Sequence, residues 1–127
     1  MKTIVAIGGG EVGSIYKNSK YETELIDREI VSLSNKDNPN VLVIPHAAPP
    51  EMEYRSYQNI RNNYQKLNCT IKYLRRKKLN DIEYVNNLID WSDIIYVPGG
   101  NTIDMLDIWY KTGFDKILKK GGKNNEW

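Results

Sequence analysis

Four short runs rich in branched and aromatic residues alternate with segments of helical periodicity, and this alternation restricts the fold more than any other feature. Runs of this kind, bounded by turn residues, are typical of buried strands. They occupy residues 3–7, 41–44, 69–74 and 93–97. Strands that alternate with helices predict βαβ units with right-handed crossovers. We therefore predict an α/β fold, a three-layer sandwich around a parallel sheet of at least four strands.

The segments between these runs divide into helices and one loop. Helices are predicted at residues 23–34, 51–67, 80–91, 103–111 and 114–120. In the first helix we expect Ile26, Ile30 and Leu33 to face the core. Asn80 is the expected cap of the third helix. Residues 11–22 are polar and lack a helical period, so we predict a loop over the end of the sheet.

The length and composition of the chain favour a small soluble protein. With 127 residues, the chain is expected to form one domain, 1–127. A net charge of only +2 gives no reason to expect a strongly charged partner. The single cysteine, Cys69, fits a reducing compartment and is expected to be a small buried residue rather than a nucleophile. Without a signal peptide or a long apolar run, we expect a cytoplasmic protein with no membrane partner.

A glycine turn after the fourth strand is the first candidate site. Pro98 ends the strand, and Gly99 and Gly100 allow the backbone to turn and to approach another molecule closely. Asn101 or Thr102 can cap the helix that follows. Ligands of open α/β sheets bind at such turns, whose backbone N–H groups can hold an anion or an oxyanion. The alternative is that the two glycines only make a tight connection.

A second glycine-rich segment, residues 8–13, satisfies the G-x-G-x-x-G pattern of dinucleotide-binding sites. That function also requires a helix that begins within the glycines, and an acidic residue that closes the second strand. Residues 16–22 show no amphipathic period, and the second strand closes with Pro45 and His46. We therefore expect no dinucleotide cofactor.

A basic run, Arg75-Arg76-Lys77-Lys78, is a candidate for contact with phosphate groups. It stands alone between a strand and a helix, and the net charge of the chain is small. We interpret the run as a solvated loop and expect no nucleic-acid partner.

Several motifs, taken in their order along the chain, resemble one enzyme family. They are residues 8–10, 26–31, 33–34, 38–39, 41–45 and 96–102. The ordered set resembles the dipeptidase E group, the S51 serine peptidases, from residue 3 to about residue 120. This family is related in fold to the class I glutamine amidotransferases, so the resemblance implies a flavodoxin-like α/β sandwich.

The resemblance also implies a cytoplasmic serine exopeptidase that removes N-terminal aspartate from dipeptides. Its substrate is a small peptide, and no metal or organic cofactor is implied. Gly99 and Gly100 match the family's turn that donates a backbone N–H to the substrate oxyanion. Asn101 and Thr102 match the residues that shape this turn.

The chain departs from the family pattern in its catalytic residues. In the family, the nucleophilic serine sits on a strand-to-helix elbow after the last of these motifs, and a histidine follows. Residues 121–127 contain neither, and His46 does not match the catalytic histidine. The resemblance thus implies a domain truncated before the nucleophile strand, with no catalytic serine or histidine and no activity by itself. Gly9, Gly10 and His46 are candidates only for lining the cleft.

Two further expectations follow from this departure. One alternative to a peptidase is a non-catalytic α/β module that binds a small anionic ligand or a partner chain. In addition, a missing elbow strand is expected to leave the strand at residues 93–97 as an unpaired apolar edge. Because exposed edges recruit other chains, we predict a homo-oligomer.

Overall fold

A computed structural model of this protein describes residues 3–6, 12–14, 19–21 and 24–121. In chain order, the strands are β1 (Thr3–Ala6), β2 (Val12–Ser14), β3 (Ser19–Tyr21), β4 (Asn40–Val43), β5 (Thr70–Tyr73) and β6 (Ile94–Val97). Four of them form one parallel sheet in the order β1-β6-β4-β5. The parallel sheet of an α/β fold is therefore confirmed.

Five α-helices accompany the strands in the part of the chain that the structure describes. They are α1 (Glu24–Leu33), α2 (Glu53–Gln65), α3 (Ile82–Trp91), α4 (Thr102–Thr112) and α5 (Phe114–Lys119), with short 3-10 turns at Pro50–Met52 and Arg76–Lys78. Within the described residues, none of these helices is long and apolar enough to cross a membrane.

The side chains of β4 alternate between two hydrophobic cores, one on each face of the sheet. Val41 and Val43 pack in the core beneath α1 and α2. Leu42 and the following Ile44 pack in the core beneath α3, α4 and α5. All four are fully buried, as expected for a parallel sheet that is covered on both faces. The predicted three-layer sandwich of helices, sheet and helices is thus confirmed.

The segment predicted as a loop at residues 11–22 contains a hairpin instead. β2 and β3 pair antiparallel, with Val12 opposite Tyr21 and Ser14 opposite Ser19. Three-residue strands are too short to give a recognisable period in the sequence, so this prediction was wrong. Residues 12 and 13, the described part of the glycine-rich segment that resembles a dinucleotide site, lie in β2 and not in a helix.

The strand before the glycine turn lies inside the sheet, not at its edge. β6 pairs with β1 on one side and with β4 on the other, so the prediction of an unpaired edge at residues 93–97 was wrong. In the described sheet the outer strands are β1 and β5. An exposed edge at β6 therefore no longer supports the predicted homo-oligomer. The oligomeric state remains a prediction that light scattering can test.

Of the three residues of helix α1 that were predicted to face the core, Ile30 does so and Ile26 and Leu33 do not. Ile26 and Leu33 are exposed, whereas Asp27 and Ile30 are buried. The Asp27 carboxylate accepts a hydrogen bond of 2.7 Å from the Tyr64 hydroxyl, which satisfies a polar group that burial would otherwise penalise. A buried carboxylate with a partner from a distant helix cannot be recognised from hydrophobic periodicity.

Candidate active site at the carboxyl edge of the sheet

The glycine turn after β6 has a conformation that only glycine accepts. Gly100 has φ of 148°, and a Cβ atom there would lie 2.3 Å from the carbonyl oxygen of Ala47. The next residue, Asn101, donates its backbone N–H to the same Ala47 oxygen at 2.8 Å. Its side-chain oxygen then caps α4 by accepting from the Asp104 N–H at 3.1 Å. The turn is therefore held against the loop that follows β4, as well as against the helix.

Two backbone N–H donors of this turn are candidates for binding another molecule. Among the described residues, neither Gly99 nor Gly100 donates its N–H to a hydrogen bond. Both glycines are exposed, at the start of an 11-residue helix whose N-terminal end carries partial positive charge. Unpaired N–H groups with this placement suit a carboxylate or the oxyanion of an acyl-transfer reaction.

His46, in the loop that follows β4, is buried and hydrogen-bonded at both ring nitrogens. The residue is 1% exposed. Nδ1 lies 2.9 Å from the indole N–H of Trp109, which can only donate, so Nδ1 accepts. Nε2 lies 2.7 Å from the carbonyl oxygen of Leu74 and must therefore carry the proton. The geometry thus fixes the neutral tautomer with the proton on Nε2.

The electrostatics of His46 also favour the neutral ring. Burial lowers its pKa from 6.5 to about 4, because desolvation penalises the charged form. The hydrogen bond to the Leu74 carbonyl opposes this change, and the nearby positive charge of Arg76 adds to it. With its lone pair engaged by Trp109, the ring has no free nitrogen to accept a proton from a nucleophile. In this geometry His46 contributes to the site through its hydrogen bonds to Leu74 and Trp109.

A cavity of about 330 Å³ opens beside the glycine turn. Three parts of the chain line it: the loop at residues 46–51, Arg76, and the start of α4 with Asn101 and Asp104. Its volume is at the lower end of the range for small-molecule sites. The charged groups around it are one guanidinium and the carboxylates of Glu51 and Asp104. The lining therefore carries charges of both signs.

The structure brings some of the predicted site residues together. Gly99, Gly100, Asn101 and Thr102 form the turn and the first residue of α4, as the sequence suggested. His46 lines the cavity beside them, in the loop that holds the turn in place. Gly9 and Gly10 lie outside the described residues.

Sequence reasoning missed two residues of this site, Trp109 and Arg76. Trp109 resembles an ordinary core residue of α4, and nothing in its spacing indicates a hydrogen bond to His46. Arg76 was assigned to a solvated loop, which is correct for its neighbours Arg75 and Lys77, both exposed. The Arg76 side chain itself is only 18% exposed. In the part of the chain that the structure describes, no group of His, Cys, Asp or Glu is arranged to hold a metal ion.

Taken together, the described residues form an α/β protein with a glycine turn and a cavity at the carboxyl edge of its sheet, where ligands of such folds bind. The chain belongs to peptidase family S51, whose family model matches residues 4–125. It is 31% identical over 124 residues to a Bacillus subtilis (strain 168) protein described as the uncharacterized peptidase YgaJ. That alignment covers 98% of this chain and 50% of the relative, so the chain spans about half the relative's length. No solved structure matches the chain.

Proposed function

We propose that this chain supplies the oxyanion-binding turn of a serine-type peptidase of the dipeptidase E kind, which acts on dipeptides with N-terminal aspartate. The observation that carries the proposal is the pair of N–H groups at Gly99 and Gly100, which have no acceptor among the described residues, in a turn that packs on Ala47. Membership in family S51 and the likeness to a protein described as a peptidase support the hydrolytic class. The aspartyl preference follows from the family resemblance alone.

In this proposal the glycine turn acts on the scissile carbonyl group. When a nucleophile attacks the carbonyl carbon, the oxygen gains negative charge, which donors about 3 Å away stabilise. Because such donors are already oriented before the reaction, they favour the transition state over the substrate. The positive end of α4 adds to this stabilisation, since its axis begins at Asn101 beside the same donors.

The nucleophile and the general base of the proposed site come from outside these 127 residues, in a longer protein or in a partner chain. His46 is the single histidine of the sequence, and its lone pair is engaged by Trp109. Loss of a triad nucleophile or base costs on the order of a millionfold in turnover. We therefore propose that the 127-residue chain is inactive by itself.

A dipeptide panel tests both parts of the proposal. The 127-residue chain should release no aspartate from aspartyl dipeptides above the uncatalysed rate. The same chain, joined to the part of the Bacillus subtilis relative that it does not cover, should release aspartate. In the joined protein Gly100→Ala should remove the activity, and Gly113→Ala, at the distant end of α4, should retain it.

Two results would overturn the proposal. Turnover by the 127-residue chain would show that its own residues include a nucleophile. A folded joined protein that hydrolyses no dipeptide would argue against the peptidase function.

A second candidate function is a non-catalytic module that binds a small anionic ligand. The observation that favours it is the cavity lined by Arg76 and by Asn101 and Asp104, which directly follow the glycine turn. Saturable shifts of the Gly99 and Gly100 amide signals on titration of the 127-residue chain with aspartate or phosphate, without turnover in the joined protein, would support this function over the first. Cytoplasmic location and a homo-oligomeric state belong to either proposal.

A further inference from the structure

Arg76 holds the loop at residues 46–48 through its guanidinium group. One nitrogen, Nη2, donates to the carbonyl oxygen of His46 at 3.0 Å and to that of Ala48 at 2.8 Å. These two carbonyls flank Ala47 in the chain. A planar, always charged guanidinium can donate to two acceptors at once, which a neutral side chain of similar length cannot do as strongly.

Glu53 at the start of α2 holds Arg76 in turn. Its Oε1 atom accepts from the backbone N–H of Arg76 at 2.9 Å, and its Oε2 atom lies 3.4 Å from Nε. Both side chains are mostly buried, with 18% of Arg76 and 13% of Glu53 exposed. Nε makes no hydrogen bond, but its ion pair with Glu53 and the two hydrogen bonds of Nη2 restrict movement of the guanidinium away from the loop.

The residue between the two bonded carbonyls is the one against which the glycine turn packs. The Ala47 oxygen accepts from the Asn101 N–H at 2.8 Å. The Cα atom of Gly100 lies so close to this carbonyl that any Cβ there would overlap with it. A displacement of Ala47 would therefore move the turn, and with it the direction of the Gly99 and Gly100 N–H groups.

We propose that Arg76 is a positioning residue of the candidate active site. It fixes Ala47 from both sides, and through the Ala47 carbonyl it orients the two donors of the glycine turn. The inference rests on the proposed function for its catalytic meaning, but the positioning itself is a property of the 127-residue chain. Arg76 touches no reacting atom in this proposal and acts only through the loop.

The test is amide hydrogen exchange and chemical shift in the 127-residue chain, measured by NMR. In the Arg76→Ala variant, exchange of the Asn101 amide should accelerate about tenfold or more, since a charge-assisted support of its acceptor is lost. The Gly99 and Gly100 signals should shift. The exchange rates of amides in β6, such as that of Ile95, should change only as far as the overall stability of the variant changes.

Arg75→Ala is the matched control, because Arg75 is exposed and points its guanidinium to the Tyr73 ring. It should leave all of these signals unchanged.

Chemical rescue separates positioning from a general loss of stability. Guanidinium at low millimolar concentration should restore the Asn101 protection of Arg76→Ala, whereas sodium chloride at equal ionic strength should not. If Arg76→Ala fails to fold, Glu53→Gln replaces it, and its Asn101 amide should exchange several-fold faster than in the unmodified chain.

The proposal is overturned if a folded Arg76→Ala, or Glu53→Gln in its place, leaves the Asn101 amide and the glycine signals unchanged. An equal response in Arg75→Ala, or the absence of guanidinium rescue, would overturn it as well. None of these readouts requires turnover. An inactive joined protein therefore counts against the proposed function alone, and unchanged amides count against the role of Arg76 alone.

Discussion

The indole N–H of Trp109 donates a hydrogen bond to Nδ1 of His46 over 2.9 Å, and this contact joins α4 to the loop after β4. The two rings also meet edge to face, with centroids 6.3 Å apart. Both residues are buried, so the bond forms in a medium where an unpaired ring nitrogen is costly. The glycine turn lies between these two elements, which means that its position depends on a contact 63 residues apart in the chain.

Replacement of Trp109 should lower the stability of the protein and raise the pKa of His46. Trp109→Phe removes the donor and part of the ring volume, so the free energy of unfolding should fall by about 2 kcal/mol or more. The His46 pKa should rise in the folded variant, because a bond that favoured the neutral ring is lost. Urea denaturation and NMR titration measure the two effects. Tyr110→Phe, at an exposed neighbouring position, is the control and should change neither.

Stability should depend on pH through His46. Its pKa is about 4 in the folded protein and near 6.5 in the unfolded chain. Between these values the unfolded chain binds a proton that the folded protein does not, so stability is full above pH 6.5 and falls as pH drops toward 4. The free energy of unfolding should fall by about 3 kcal/mol over this pH interval.

Denaturation midpoints measured from pH 7 to pH 5 test this prediction, since most carboxylates remain ionised there. His46→Gln is the control variant. This variant should be less stable at pH 7, and its free energy of unfolding should not change between pH 6.5 and pH 5. A slope of the same size in His46→Gln would assign the effect to other groups.

Two glycines with positive φ should respond differently to the same substitution. Gly100→Ala meets the Ala47 carbonyl at 2.3 Å in addition to an unfavourable φ of 148°, so it should cost about 2 kcal/mol or more. Gly113 caps α4 with φ of 78° and has open space around the new methyl group, so Gly113→Ala should cost about 1 kcal/mol. Thermal unfolding of both variants measures the difference. Equal losses would contradict the close approach of Gly100 to the loop.

The bond between Tyr64 and Asp27 should contribute to stability on the other face of the sheet. Tyr64→Phe removes a donor to a buried carboxylate and should cost about 1–3 kcal/mol. Tyr84→Phe is the control, because Tyr84 is partly exposed and its ring keeps the contact with the Lys78 ammonium after the change. If the two variants lose the same stability in urea, the Tyr64 hydroxyl has no special role.

The sequence alone determined the layers of this fold and the position of the glycine turn. Runs such as residues 41–44 and 94–97 are apolar throughout because a parallel sheet buries both of its faces, and that requirement is visible in each run separately. The helix cap at Asn101 and the helix stop at Gly113 were also predictable, since each depends on the chemistry of a few adjacent residues.

Other local features were not resolved by the sequence. The cap of α3 is Asp81, one residue beyond the expected Asn80, because both residue types cap helices and only the backbone geometry selects between them. On α1 the burial of Ile30 was predicted, but that of Asp27 was not, because its carboxylate accepts a hydrogen bond from the Tyr64 hydroxyl of another helix.

The tertiary structure decided which residues contact the loop beside the glycine turn, and which protonation state His46 has. Four adjacent basic residues look alike in sequence, yet Arg76 alone meets the His46 and Ala48 carbonyls, because β5 ends beside that loop. His46 was predicted only to line the cleft, and its contacts with Leu74 and Trp109 make it a neutral structural group. These outcomes depend on distances between segments far apart in the chain, which pairing and packing set and local sequence patterns do not encode.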